Sequence, residues 1–267
     1  METRMEKLVR MVAAVAFAAT VAFGAAKVQA GPVPAGATCV GDCGTNGADG
    51  VVTLSPLGNS SYLYISTEGG VAGAGQISGI GGTDGSQLTT PVFTATAGDQ
   101  LKFYFNYVTS DGSGYADYGF AQLLDAGSNV AATLFTARTQ PSGNTSPGFG
   151  LPANDSTLTP ATSGIIGGGP TWSVLGSDSG SCYNAGCGYT GWIESTYTIA
   201  ASGTYSLLFG VTNWSDTFYD TGMAIDGVTI AGNTIISAVP EPMSLALFGA
   251  ALMAFGTMRR RGRVGAE

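Results

Sequence analysis

Histidine is absent from all 267 residues. Without an imidazole, Ser-His-Asp and Cys-His catalytic arrangements are excluded, zinc is poorly served, and the usual switch near neutral pH is missing. Positive charge is scarce as well. Between residues 31 and 239 only Lys102 and Arg138 are basic, against fourteen Asp and Glu, a net charge of −12. Such a surface repels phosphate backbones, which excludes nucleic acid as a partner and suits either solubility outside the cell or cation binding. Glu68 and Glu194 are the only glutamates in that stretch, and nothing in the sequence sets them opposite one another as a glycosidase would need. The serine-rich loops lack a neighbouring base to activate a nucleophile. The chain is therefore expected not to be an enzyme.

A C-x-x-C redox motif is also missing. The four cysteines fall instead into two close pairs, Cys39 with Cys43 and Cys182 with Cys187. An even count in an exported chain points to disulfides. Four cysteines allow three connectivities, and the two local loops are the favoured one.

What is present at the ends reads as addressing. Lys7 and Arg10 precede an apolar run from Met11 to about Ala26, and Val28-Gln29-Ala30 gives a small-x-small cleavage pattern. This is the order of a secretory signal peptide over residues 1–30, a substrate for the Sec export machinery. At the other end, residues 243–258 carry no charge and as a helix would span about 24 Å. That is slightly under the ~30 Å hydrocarbon core, a gap that flanking residues and snorkelling arginines make up. Arg259, Arg260, Arg261 and Arg263 follow. Basic residues stay cytoplasmic, so this single transmembrane helix is expected to insert with the folded domain outside, as the signal peptide also demands. Pro240 and Pro242 flank Glu241 and keep the junction extended, a shape a protease can bind.

The order Pro-Glu-Pro, short apolar helix, arginine cluster over residues 240–267 resembles the PEP-CTERM sorting signal of Gram-negative bacteria that make exopolysaccharide. The resemblance implies passage through the inner membrane, processing by exosortase, a membrane-embedded cysteine transpeptidase-like enzyme, and then release or transfer to the cell surface.

Strand signals dominate the body. In "QLKFYFNYV", Leu101, Phe103, Phe105 and Tyr107 alternate with Lys102, Tyr104 and Asn106, as in a half-buried antiparallel strand. "TYSLLFGVTNW" repeats this with Tyr205, Leu207, Phe209 and Val211 inward. The two regions echo one another: strand, Gly turn, long alternating strand, a polar loop carrying Asp and Tyr, then another strand. The expectation is an all-β, jelly-roll-like antiparallel β-sandwich over residues 51–239. Residues 31–50 read as a cysteine-stapled N-terminal arm and residues 141–170, rich in Gly, Pro, Ser and Thr, as a long surface loop. The body also resembles the β-sandwich domains often carried by PEP-CTERM proteins, which mostly lack an assigned activity.

Two constellations could carry chemistry. Asp216, Asp220 and Asp226 lie near Asn213 in "NWSDTFYDTGMAIDG" and offer carboxylates for Ca²⁺, which takes six to eight oxygens. Jelly-roll carbohydrate-binding modules, which this segment loosely resembles, often hold a structural calcium near the last strand, and that likeness nominates Asp226. Asp42, Asn46 and Asp49 lack the spacing of an EF-hand loop. Trp172, Trp192 and Trp214, with Tyr183 and Tyr189, gather around the second cysteine pair and the following hairpin. Flat rings stack on sugar faces while Asp or Asn bonds the hydroxyls, a fit to exopolysaccharide. The expected function is a non-enzymatic surface or matrix protein, with a calcium-holding carbohydrate-binding module as the alternative and a glycoside-active enzyme behind both.

Overall fold

Side chains of a strand alternate between the two faces of its sheet, so the alternating runs of this chain need an apolar layer on one side only. The structure, a computed structural model, describes residues 31–140 and 142–238. The signal peptide over 1–30 and the sorting signal, with Pro240, Glu241, Pro242, Arg259, Arg260 and Arg261, lie outside the described residues. Among the described residues no helix is long and apolar enough to cross a membrane.

The first strands are β1 (Thr38–Val40), β2 (Asp42–Asn46), β3 (Tyr62–Ser66), β4 (Val71–Ala72), β5 (Asp84–Thr89) and β6 (Phe93–Ala95). The middle of the chain forms β7 (Gln100–Thr109), β8 (Tyr118–Asp125), β9 (Val130–Arg138), β10 (Thr157–Thr159) and β11 (Ile166–Gly167). The last are β12 (Gly188–Tyr189), β13 (Ile193–Thr198), β14 (Gly203–Thr212), β15 (Thr221–Ile230) and β16 (Asn233–Ile236). They build two antiparallel sheets packed face to face. One runs β10-β13-β7-β15-β3-β2, and the other runs β1-β5-β14-β8-β9. Between β3 and β15 the chain crosses repeatedly from one sheet to the other, so that β13-β7-β15-β3 faces β5-β14-β8-β9, a double Greek key.

The inward faces are those the alternation marked. Leu101, Phe103, Phe105 and Tyr107 of β7 and Leu207, Phe209 and Val211 of β14 are fully buried. Phe105 lies flat on Phe135 of the opposite sheet, with ring centroids 3.7 Å apart, and Phe103 meets Phe209 edge-on at 5.3 Å. Each such ring contributes about 1.5–3 kcal/mol by leaving water.

The outward face of the β7 sheet departs from the alternation. Asn106, expected outward and wet, is buried. Residues 172–175 fold back over β3, β7 and β15, and Trp172, Val174 and Leu175 make a second apolar cluster with Tyr62, Tyr64, Val108 and Ala224. Gly222 permits this, since a Cβ there would meet the Trp172 ring at 2.7 Å.

The N-terminal arm is no appendage. β1 pairs with β5 in one sheet and β2 with β3 in the other. Cys39 and Cys43, with Cα atoms 6.0 Å apart, therefore tie the two sheets together at a corner. Cys182 and Cys187 form the second bridge at 5.6 Å, both separations within the normal range. The loop at 141–170 is likewise partly ordered by pairing: β10 extends the sheet beside β13, and β11 pairs with β12.

Candidate functional site

The two echoed segments meet at one end of the sandwich. Residues 110–117 carry the chain from β7 to β8, and residues 213–220 carry it back from β14 to β15. Because β7 pairs with β15 and β8 with β14, the two crossing loops emerge side by side. The Cys182–Cys187 loop joins them. Tyr183 donates its N–H to the Ser110 carbonyl (3.0 Å), and Ser113 donates to the Ala185 carbonyl (2.9 Å).

Three tyrosines from three segments consequently stand together. Tyr183 lies 5.5 Å from Tyr115 and 5.0 Å from Tyr219, centroid to centroid. With Phe218 and Asp216 they line a surface pocket of about 130 Å³. Tyr183 is 48% exposed and Phe218 69%. Ser215 (φ 74°) and Tyr219 (φ 59°) hold left-handed backbone, a costly state for non-glycine residues that concentrates at ligand sites.

The same two loops carry three buried acids, Asp111, Asp117 and Asp220. Asp117 is fully buried and accepts hydrogen bonds from the Trp214 N–H (2.8 Å) and the Thr221 hydroxyl (2.6 Å). Asp220 accepts from the Thr67 hydroxyl (2.8 Å), and its N–H donates to Asp178 (3.0 Å). Its main-chain carbonyl receives both the N–H (3.0 Å) and the hydroxyl (2.8 Å) of Ser110, bolting one crossing loop to the other. Asp111 accepts from the Gly112 N–H (2.6 Å) through Oδ1, but its buried Oδ2 has no partner. Asn213 Oδ1 is buried and unpartnered in the same way.

Burial raises these carboxyls, and their neighbours add to it. Asp111 is pushed up to about 7 by desolvation, with Asp216 and Asp178 contributing. Asp220 rises to about 8, by desolvation first and then by its hydrogen bond to the Glu68 carboxyl. Asp117 lies well above the usual range through burial. Arg138 offers little relief: its guanidinium sits 4.3 Å over the Trp214 ring and donates to the Ala116 carbonyl (2.8 Å).

The three tryptophans do not form the sugar platform expected of them. Trp172 has no exposed surface, and its Nε1 donates to the Tyr62 hydroxyl (2.9 Å). Trp192 packs edge-on against Tyr62 at 5.8 Å and donates to the Thr53 carbonyl (3.0 Å). Trp214 is covered by Arg138. Trp172 and Trp192 share the cluster around Tyr62, and Trp214 packs in a separate one with Tyr118. Of the tyrosines singled out with them, Tyr183 reaches the pocket, while Tyr189 is half-buried against the second apolar cluster.

The expected calcium triad is divided. Asp216 and Asp220 lie in one crossing loop, but Asp226 is six residues along β15, roughly 20 Å away at strand rise. There its carboxylate is filled by protein donors: the Ser55 hydroxyl, the Asn59 amide (3.0 and 3.1 Å) and the Gly227 N–H (2.7 Å). Among the described residues no three His, Cys, Asp or Glu side chains converge as a metal-ligand set. Asp111, Asp117, Tyr115 and Tyr219 were not singled out in the sequence. The signal that could have found them was the echo itself, which sets Tyr115 and Asp117 opposite Tyr219 and Asp220.

A second, polar depression of about 540 Å³ crosses the outer face of β7, β13 and β10, lined by Gln100, Lys102, Thr157, Glu194, Thr196 and Tyr197 among others. Lys102 pairs with Glu194 at 3.1 Å. The Tyr104 hydroxyl also donates to Glu194 and, with Lys102, holds its carboxyl below the usual range. Glu194 is thus a satisfied ion, and Glu68 sits elsewhere, against Asp220. The body's two glutamates do not face one another.

No protein-family model matches the chain, and no curated protein matches it in sequence. Among solved structures, the K1 cleaved adhesin domain of Lys-gingipain from Porphyromonas gingivalis is similar over 74% of this chain and 94% of its own, at 12% identity and TM-score 0.32. The enzymatically active domain of tailspike protein 4 from bacteriophage CBA120 aligns with 73% of this chain and 19% of its own, at 12% identity and TM-score 0.33. An exo-beta-agarase aligns with 79% and 26%, at 14% identity and TM-score 0.28. Scores this low bear on neither ligand nor mechanism.

Proposed function

We propose that this is an exported, exosortase-processed surface or matrix protein whose jelly-roll domain binds exopolysaccharide without chemistry, through the tyrosine pocket. One observation carries the binding reading. Tyr115, Tyr183 and Tyr219 come from three separate segments, yet their rings stand together at the surface beside Asp216. Aromatic faces stack on the apolar C–H surfaces of sugars, and a carboxylate at the rim accepts from hydroxyls. The two disulfides fit an oxidising compartment outside the cytoplasm, in keeping with the signal-peptide reading.

The test is retention of the purified protein on gels of the producing cell's own exopolysaccharide. Tyr183→Ala should cut retention about tenfold or more while leaving the melting temperature nearly unchanged, because the ring is half exposed. Loss of retention in Lys102→Ala, with none in Tyr183→Ala, would move the site to the polar depression. No retention of the wild-type protein on any polysaccharide would end the binding reading. Processing has its own test. The intact mass of protein from the envelope and medium should correspond to a chain beginning at Gly31 and ending near Pro240.

A further inference from the structure

Four aromatic side chains around one carboxylate offer more than a stacking surface. The Tyr115 and Tyr183 planes meet at 75° and the Tyr183 and Tyr219 planes at 46°, so the three rings wall a corner instead of lying in one plane. Phe218 adds a fourth ring to the lining, and Asp216 supplies the one carboxylate there. A sugar face stacks best on a flat ring surface, whereas rings set at angles surround a cation that each attracts through its π-face. Asp216 has an oxygen to spare for such a cation. Its Oδ1 accepts the Phe218 N–H (3.1 Å), and no donor among the described residues engages Oδ2. The chain brings no cation of its own. Of the two basic side chains between residues 31 and 239, Lys102 pairs with Glu194 at 3.1 Å and Arg138 is held by the Trp214 ring and the Ala116 carbonyl. Neither lines the pocket. Further negative charge adjoins it instead: Asp220 follows Tyr219, and its N–H donates to the Asp178 carboxylate (3.0 Å).

We propose that the tyrosine pocket selects amino sugars, taking the protonated amine of a de-N-acetylated hexosamine unit against its rings and the Asp216 carboxylate. The proposal rests on the exopolysaccharide-binding reading and narrows it to glycans that carry free ammonium groups. At about 130 Å³ the pocket is well below the ~300–1,000 Å³ of sites that engulf a small molecule. A polymer therefore offers it one substituent or ring edge at a time. An ammonium gains over a hydroxyl there in two ways. It is attracted to the ring faces, and its hydrogen bonds to a carboxylate are charge-assisted, roughly twice as strong as neutral ones. N-acetylation removes the charge and with it both gains. Uronate, sulfate or phosphate groups meet like charge at Asp216, which disfavours acidic polysaccharides. A phosphocholine headgroup is disfavoured in the same way, since it carries a phosphate beside its cation.

The experiment is calorimetric titration of the purified protein with short β-linked oligomers of glucosamine, N-acetylglucosamine and glucose, which differ only at C2. Mildly acidic pH keeps the amine protonated, and physiological salt screens diffuse attraction to the acidic surface. The glucosamine oligomer should bind about tenfold or more tighter than the other two. Asp216→Asn keeps an oxygen for the Phe218 N–H but removes the charge, and should abolish most of that advantage. Tyr183→Ala should weaken the glucosamine oligomer about tenfold, and Tyr183→Leu serves if Tyr183→Ala fails to fold. Equal or tighter binding of the N-acetylated or glucose oligomer overturns the ammonium preference and leaves the glycan-binding reading standing. No binding of the glucosamine oligomer also overturns it, and the binding reading falls with it only if the exopolysaccharide gel retains nothing. A preference that survives both the Asp216 and the Tyr183 substitutions belongs to the acidic surface at large, and overturns the proposal too.

Discussion

The crossing loops at residues 110–117 and 213–220 do the same topological work in opposite senses, and each ends on a buried aspartate just before a long strand. Their energetics differ. Asp117 is held by two donors, the Trp214 N–H and the Thr221 hydroxyl. Asp220 receives one side-chain donor, Thr67, and faces the carboxyls of Glu68 and Asp178. The first loop is pinned to the Cys182–Cys187 segment by main-chain hydrogen bonds and makes a short 3-10 turn at Ser113–Tyr115. The second carries left-handed backbone at Ser215 and Tyr219. The first loop is anchored at its closing aspartate, although Asp111 within it keeps an unpartnered oxygen, and the second carries left-handed backbone and like charge at its closing aspartate. The pocket is built where the two meet.

That contrast can be broken most forcefully at the two closing aspartates. Asp117→Ala strips two donors in a fully buried place and should cost about 3 kcal/mol in denaturant unfolding, since each stranded donor is worth about 1–3 kcal/mol. Asp220→Ala strands one donor, the Thr67 hydroxyl, and ends the hydrogen bond to Glu68, and should cost less, about 1–2 kcal/mol. Equal costs would show the loops to be equivalent.

A pH series sharpens the same difference. An aspartate in an unfolded chain titrates near 4, while Asp220 is raised to about 8, by burial and by Glu68, with Asp178 adding. Its stabilising contribution is therefore complete below pH ~4 and is lost as pH climbs through about 8. The melting temperature of the metal-free protein should fall across that interval, and Asp220→Asn should flatten the fall. The smallest effect lies in the backbone. Ser215→Gly should stabilise the protein by about 0.5 kcal/mol, because glycine accepts positive φ freely, whereas Ser113→Gly in the unstrained loop should cost a similar amount.

Much of the frame was legible beforehand. The faces of β7 and β14 could be read residue by residue, because alternation with aromatic and branched side chains leaves one way to bury them. The close spacing of each cysteine pair made local bridges the favoured connectivity, although two others stayed open. Asn106 and Trp172 show where local reading stops. A residue on an outward face is wet only if nothing folds over it, and the apolar cluster on that face is built partly by residues 172–175, far along the chain. The tryptophans suggested a sugar platform by type, yet each was drawn into a junction where a large ring with one N–H donor fits. Asp216, Asp220 and Asp226 suggested one cation site by proximity in sequence, and β15 carried the last of them away.

By itself, then, the sequence determined the all-β class, the inner faces of the long strands, the acidic character and the echo of the two crossing segments. These follow from local periodicity and from charge, which need no knowledge of the partner strand. Only the tertiary structure decided that β7 lies beside β15 and β8 beside β14, that Tyr183 stands between Tyr115 and Tyr219, and that Asp111 is left with an unpartnered oxygen. Those are matters of which distant segments come to share one small volume, and burial, pairing and electrostatic neighbours exist only once they do.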